Sequence, residues 1–318
     1  MIGTYDKALI FINWNTGCMT LEAVRTAKAH AAHPERMRIL IVDNGSTDDS
    51  LEKFARDLPE AEVVPMGENC GFARAANAGL RRVREPHAFV LNTDLVFESN
   101  TLDRLADALD QDPLAVLATP KLLRLDHSVQ PAAVPKPQVF WELVNRSLPR
   151  YLMHVPDDRT STVPGLVGAC MAVHMKRVHD IGFLDERFFF FMEETDWCTR
   201  VNQVGKHVLY VPSAEVVHVQ GETANRRPAR ARVQFYSSRY RYFRKHAGIF
   251  PLGVLFTGLW LRLTLDLLLH SLLALATLGH PKFRDKTAMY TRLWLWHALF
   301  CPPRWGFEPP GWSQPDPE

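Results

Sequence analysis

An α/β fold with a parallel sheet, followed by a helical and partly apolar C-terminal extension, is what this sequence predicts. Three observations predict it. Short apolar runs without polar alternation recur before residue 120, as strands covered on both faces require. Stretches with helical patterning separate those runs, and strands alternating with helices mean βαβ units. Polar residues close several of the runs, and ligands bind beyond the carboxyl ends of strands in such sheets.

The elements follow in order. Strands are expected at 8–12, 38–42, 62–66, 88–92 and 114–118, and helices at 18–32, 48–58, 72–84 and 101–110. Residues 125–162 are rich in proline and weakly periodic, which suggests an acceptor-facing loop or insertion. Regular structure is expected again from Leu166 to His218. A basic-aromatic segment, a long apolar stretch and a Pro/Gly/Trp-rich tail follow, so the boundary is set at 1–225 and 226–318.

The chain of 318 residues is 47% hydrophobic and 23% charged, enough for one large domain and an appendage. A formal net charge of +2 is too near neutral for a chain-wide nucleic-acid argument. The five cysteines (Cys18, Cys70, Cys170, Cys198, Cys301) form no C-x-x-C pair, which argues for reduced thiols, a cytosolic setting and no zinc site. The first apolar run is too short for a signal peptide.

Chemistry is sought at the strand ends. Asn13-Trp14-Asn15 ends the first run and Asp43-Asn44-Gly45-Ser46-Thr47-Asp48 the second. Asp43 suits a base imide or a ribose hydroxyl, or else caps a strand-to-helix turn. The run from Asn69 through Gly71, Arg74 and Asn77 to Gly79 either turns helix N-terminal amides toward a diphosphate or packs a small-residue helix on the sheet. Asn92-Thr93-Asp94 closes the fourth run. Asp94 is the metal-ligand candidate, because Mg2+ or Mn2+ on a diphosphate needs only one or two protein carboxylates; a turn aspartate is the alternative.

Phe188 to Phe191 precede Met192-Glu193-Glu194-Thr195-Asp196-Trp197, a helix start that Gly205 can close. At about 100° per residue, Glu193 and Glu194 lie near Trp197, on the buried stripe that continues through Val201 and Val204. Acidic residues favour a first helical turn in any case. Two carboxylates over an apolar stripe would be desolvated, which raises a carboxyl pKa and suits a general base. Asp196 pairs instead with Arg200 at i, i+4.

In this order the motifs resemble the large family of inverting nucleotide-sugar transferases with the GT-A fold, closest to its bacterial rhamnosyltransferase-like branch. Gly168-Ala169-Cys170-Met171, Gly182 to Phe189, Tyr210-Val211-Pro212 and His218 complete the set over about residues 8–246. The resemblance implies a Rossmann-like nucleotide-diphospho-sugar transferase domain. It implies that Asp43 contacts the nucleoside, among donor-binding residues Asn15, Asn69, Gly71, Arg74, Asn77, Asn92 and Thr93. It further implies that Asp94 and His218 hold Mg2+ or Mn2+, and that Glu194, rather than Glu193, is the base. Asn92 stands where a D-x-D motif carries its first carboxylate, and Glu194 where many relatives carry Asp. The implied donor is a dTDP- or UDP-sugar, with L-rhamnose the first choice, and the acceptor a cell-surface glycan or lipid-linked intermediate. Two alternatives are a processive polysaccharide synthase, which lacks support without a Q-x-x-R-W motif, and a non-catalytic basic adaptor.

Between Thr223 and Leu265 there is no Asp or Glu, while Arg226, Arg227, Arg230, Arg232, Arg239, Arg241, Arg244, Lys245 and Arg262 lie there with interleaved aromatics. No nucleic-acid motif accompanies them. The readings are a basic helix near the acceptor or an anionic lipid surface, or a solvated face. Arg262, Asp266 and His270 interrupt the apolar stretch at helical spacing. That favours a helix packed on the domain or lying in the membrane interface over a true span, with the enzyme peripheral at the cytoplasmic face.

Overall fold

The structure, a computed structural model, describes residues 5–144, 147–149, 153, 155–219, 228–302 and 305–308. Arg226, Arg227 and Thr223 lie outside the described residues.

Strands β1 (Lys7–Asn13), β2 (Met37–Asp43), β3 (Glu62–Pro65) and β4 (His87–Leu91) pair in parallel in the order β3-β2-β1-β4. Helices α1 (Gly17–Ala29), α2 (Ser50–Asp57) and α3 (Phe72–Leu80) connect them. The apolar runs are buried as continuous runs should be: Ala8 to Phe11, Leu40 to Val42 and Ala88 to Leu91 have no exposed surface. Helix α3 lies close on the sheet because its inner face is small. A Cβ at Gly79 would come within 2.4 Å of the Ile10 side chain.

Helix α3 stops at Leu80, short of the expected residue 84. The amides of Arg82 and Val83 bond three residues back, to Gly79 and Leu80, which tightens the turn ahead of Pro86.

After β5 (Leu95–Val96) and α4 (Thr101–Gln111), the sheet departs from the expected parallel arrangement. Strand β6 (Ala115–Leu123) does not pair with β4; β11 (Cys170–His174) lies between them, antiparallel to both. The chain reaches β11 through an irregular excursion whose described residues include β7 (Val129–Gln130), β8 (Ala133–Val134), α5 (Val139–Val144), β9 (Ser161–Thr162) and β10 (Gly165–Leu166). It thus enters β11 from the end at which β4 finishes, and parallel entry would need a crossover. The long β12 (His207–His218) runs parallel to β6, with a register shift between Val211 and Glu215, and pairs antiparallel with β5. Helices α6 (Met175–Val178) and α7 (Glu193–Gln203) complete this part. In α7, Trp197 and Val201 are fully buried, whereas Val204 lies past the helix end and is 59% exposed. Gly205 closes the helix with a left-handed φ of 71°, as its place in the sequence predicts.

The described residues fall into two compact units. The first draws on Met1–Lys136, Met153–Arg187 and Glu193–Gln220; the second on Pro137–Leu152, Phe188–Met192 and Gly221–Glu318. The second unit is helical: α5, α8 (Pro228–His246), α9 (Ile249–Ala276) and α10 (Pro281–Ala298). Phe188, Met192, Tyr242, Phe243, Leu255 and Leu259 form one of its clusters, and Val233, Leu263, Leu293 and Trp296 another. Of the polar residues within α9, His270 is 9% exposed with its ring 4.9 Å from that of Tyr290 in α10, whereas Arg262 is exposed and donates to the Leu143 carbonyl of α5. Leu261, Leu265, Leu268, Leu272 and Leu275 form an exposed stripe along the helix.

Half of the arginines and lysines of α8 are held by internal partners, contrary to a continuous basic face. Arg239 is 4% exposed, ion-paired with Glu142 at 3.3 Å and packed over Phe235 and Tyr236. Arg241 pairs with Glu308 and Arg230 donates to the Gly306 carbonyl. Arginine stems pack among aromatics while their planar heads reach carboxylates. Arg232, Arg244 and Lys245 are the exposed cations of α8.

Candidate functional site

The strand ends β1 and β2 are flush, with Asn13 opposite Asp43. Asp43, 2% exposed, accepts from Asn13 Nδ2 (2.8 Å) and from the Ser46 hydroxyl (2.6 Å) and amide (3.0 Å). These bonds build the turn at Gly45, whose φ is 77° and where a Cβ would strike Glu68 backbone at 2.4 Å. The carboxylate therefore shapes the loop, and a nucleoside must share what acceptor capacity remains. Asn15 has a left-handed backbone (φ 56°), tolerated by Asn, and its Oδ1 accepts from the amides of Thr47 (2.7 Å) and Asp48 (3.3 Å).

Asn69 Oδ1 accepts from the Gly71 amide and Asn44, and Gly71 (φ 82°) starts α3. Arg74 lies 3.4 Å from Glu186. Asn77 is 2% exposed, and its amide clamps Leu184 N and O and Glu186, so it fixes the 182–187 loop. The Thr93 hydroxyl meets that of Thr16 at 3.0 Å, tying the fourth strand end to the first.

Asp94 and His218 meet although they are far apart in sequence. Pairing of β5 with β12 sets Leu95 opposite His218, and His218 Nε2 lies 3.4 Å from Asp94 Oδ1. Two ligand atoms each ~2.1 Å from one ion lie roughly 3.0–3.4 Å apart, so the pair has a metal's spacing. Gln130 supports the fit: its Nε2 lies 3.1 Å from His218 Nδ1, while its buried Oε1 has no partner. Turning this amide end for end sets Oε1 against an Nδ1–H and leaves the Nε2 lone pair directed to the Asp94 side. The donor set, one carboxylate and one imidazole, fits a cation whose shell is completed by phosphate oxygens and water. Gln130 was not legible in the sequence, because a lone Gln in an irregular stretch carries no pattern.

Glu193 and Glu194 open α7 directly after Phe191 (φ 68°) and Met192 (φ 70°). Two successive non-glycine residues in this region cost about 1–3 kcal/mol each, and such strain clusters at functional sites. Glu193 is 5% exposed with Oε2 unpartnered; burial, then the charge of Glu194, holds its carboxyl well above the ordinary range. Glu194 is partly exposed; burial raises its pKa, opposed by backbone amides and by the Thr195 hydroxyl, which donates to Oε1 at 3.1 Å. Burial thus raises both carboxyls, that of Glu193 the more, and Glu194 is the accessible member of the pair. Gly168 lies beside Glu194, with a Cβ position 3.5 Å from its Cβ and Cγ, and the neighbouring Ala169 carbonyl accepts from the Asn92 amide. The Asp94 loop and the Glu194 helix are thus linked through residues 168–169. Asp196 is fully buried and bonded to Arg200 Nε at 2.9 Å, as its spacing predicts, and Asp185 is held by Arg187.

The model of the family described as Glycosyl transferase family 2 matches residues 9–173, just over half of the chain. The N-acetylglucosaminyl-diphospho-decaprenol L-rhamnosyltransferase of Mycobacterium tuberculosis is 28% identical over 233 residues, 66% of this chain and 76% of its own length. The dTDP-rhamnosyl transferase RfbF of Shigella flexneri is 24% identical over 190 residues, 58% of this chain and 60% of its own. Among solved structures, the mannosyltransferase PcManGT of Pyrobaculum calidifontis, in complex with GDP-Man and Mn2+, superposes with a TM-score of 0.54 at 16% identity. That likeness covers 94% of this chain and 87% of PcManGT. With a GT-A fold beneath the matched stretch, the chain belongs to glycosyl transferase family 2.

Proposed function

We propose that residues 1–225 transfer a sugar, with inversion, from a nucleoside-diphosphate donor to an acceptor hydroxyl, and that 226–318 attach the enzyme to a membrane surface. The observation that carries the catalytic reading is the acidic pair at the start of α7: a buried Glu193, its carboxyl held well above the ordinary range, beside an accessible Glu194. The acceptor oxygen attacks the anomeric carbon while the bond to the diphosphate oxygen breaks on the opposite face. Glu194 takes the hydroxyl proton in that step. Asp94 and His218 hold the cation, which when bound supplies positive charge for the leaving diphosphate. Asn15, Asp43, Asn69, Gly71, Arg74, Asn77, Asn92 and Thr93 shape the donor side. The names of the two relatives support dTDP-L-rhamnose as donor, and the first supports a lipid-linked acceptor.

A panel of dTDP-L-rhamnose, UDP-glucose, UDP-N-acetylglucosamine and GDP-mannose, each with and without Mn2+, tests this reading by thermal shift. The expected result is stabilisation by dTDP-L-rhamnose above the others, and only with Mn2+ present. NMR of the product then shows an inverted anomeric centre. Stabilisation by none of the donors, or a retained anomeric configuration, would overturn it.

Helix α9 supports membrane attachment. Over 28 residues it has a window of mean hydropathy 1.7, only 17% of which is buried, and its leucine stripe is exposed. The chain should sediment with liposomes containing anionic lipid. Because several arginines of α8 are paired internally, the leucine stripe should dominate, and salt should weaken binding only in part. Complete release at high salt would assign attachment to charge alone, and no binding to any liposome would remove it.

A further inference from the structure

The other end of β4 carries a second group of ligating side chains. His87 opens β4 and His174 closes the antiparallel β11, and the register sets them opposite each other. Asp110 reaches both from the last turn of α4. His87 Nε2 lies 3.0 Å and His174 Nε2 3.8 Å from the same oxygen, Asp110 Oδ1. The imidazoles stand edge to face, with centroids 5.5 Å apart, and one ligand atom from each residue lies within 4.8 Å of the other two.

Burial and chemistry both suit a cation. The two histidine side chains are 7% and 12% exposed, while Asp110 is 58% exposed and leaves the group open to solvent. An ion ~2.1 Å from each ligand would hold the atoms roughly 3.0–3.4 Å apart; the His87 distance falls at the lower edge of that range and the His174 distance exceeds it by about 0.4 Å. Two imidazoles and one carboxylate are a zinc-class donor set, unlike the oxygen-rich set that Mg2+ selects. The Arg177 guanidinium donates to the carbonyls of Leu109, Asp112 and Ala115.

We propose that His87, His174 and Asp110 bind a divalent transition ion of the zinc class, with water completing its shell, and that this ion ties α4 to β4 and β11. The cysteine pattern that argued against zinc speaks only to thiolate sites. The site lies at the end of β4 away from Asp94 and does not depend on the proposed reaction.

The untagged full chain carrying Asp94→Ala and His218→Ala, which silences the catalytic pair, isolates this site. Titration calorimetry should show uptake of one equivalent of Zn2+, and Co2+ alone should give a visible ligand-field band. Zn2+ at a hundredfold excess over its dissociation constant should raise the melting temperature by about 5 °C or more. Asp110→Asn, at an exposed side chain, should keep the fold by circular dichroism and weaken binding at least ~10-fold. His174→Ala should remove the Co2+ band. Absence of uptake, or uptake unchanged in both variants, overturns the proposal and leaves His87 and Asp110 as a hydrogen-bonded pair.

Discussion

Asp94→Ala is expected to abolish sugar transfer and to weaken donor binding in Mg2+ or Mn2+. The side chain is the single carboxylate that the Asn92-Thr93-Asp94 turn offers, and His218 is its neighbour at 3.4 Å. Removing it leaves one imidazole, too weak a set to hold a hard cation against water. His218→Ala should cost less, and excess metal should partly restore the rate. Gln130→Leu should weaken Mn2+ binding about 10–100-fold, since partners behind a metal-bound histidine have effects of this size. Mn2+ affinity measured by electron paramagnetic resonance separates these effects from turnover. Full activity of Asp94→Ala, or of the wild type in chelator, would remove the metal from the mechanism.

Glu194→Gln is expected to lower turnover by ~10²-fold or more while leaving donor affinity nearly unchanged. Glutamine keeps the shape and one acceptor oxygen but takes no proton. Glu193→Gln should retain most activity, because Glu193 is buried and Glu194 is the accessible carboxyl of the pair. The two variants also differ in stability. A carboxyl whose folded pKa lies above its unfolded value binds more protons folded than unfolded, so stability falls as pH rises from the ordinary carboxylate range through the folded pKa. Glu193→Gln removes that fall, and its melting temperature should exceed that of the wild type at neutral pH, with the gap closing in acid. If Glu193→Gln proved inactive and Glu194→Gln active, the roles would be exchanged. Near-normal turnover in both would place the base elsewhere. Asp196 and Asp185 are poor substitutes, because each already holds an arginine.

Much of the architecture was legible locally. The unbroken apolar runs at β1, β2 and β4 report burial on both faces, and α7 begins and ends where its acidic start and Gly205 place it. Hydropathy and turn chemistry are properties of neighbours in sequence, so they survive without knowledge of the fold. The basic stretch of α8 misleads for the complementary reason. Composition counts Arg239, Arg241 and Arg230 as surface charge, yet Glu142, Glu308 and the Gly306 carbonyl receive them.

The sequence by itself determined the α/β order, the polar strand ends, the Asp196–Arg200 pair and the long apolar stretch of α9. Only the tertiary structure decided that β11 enters the sheet antiparallel, that Gln130 stands behind His218, and that His87, Asp110 and His174 converge. Each of these rests on pairing between segments distant along the chain. Periodicity encodes which face of an element is buried, but not which other element covers it, because many partners offer an equally apolar surface.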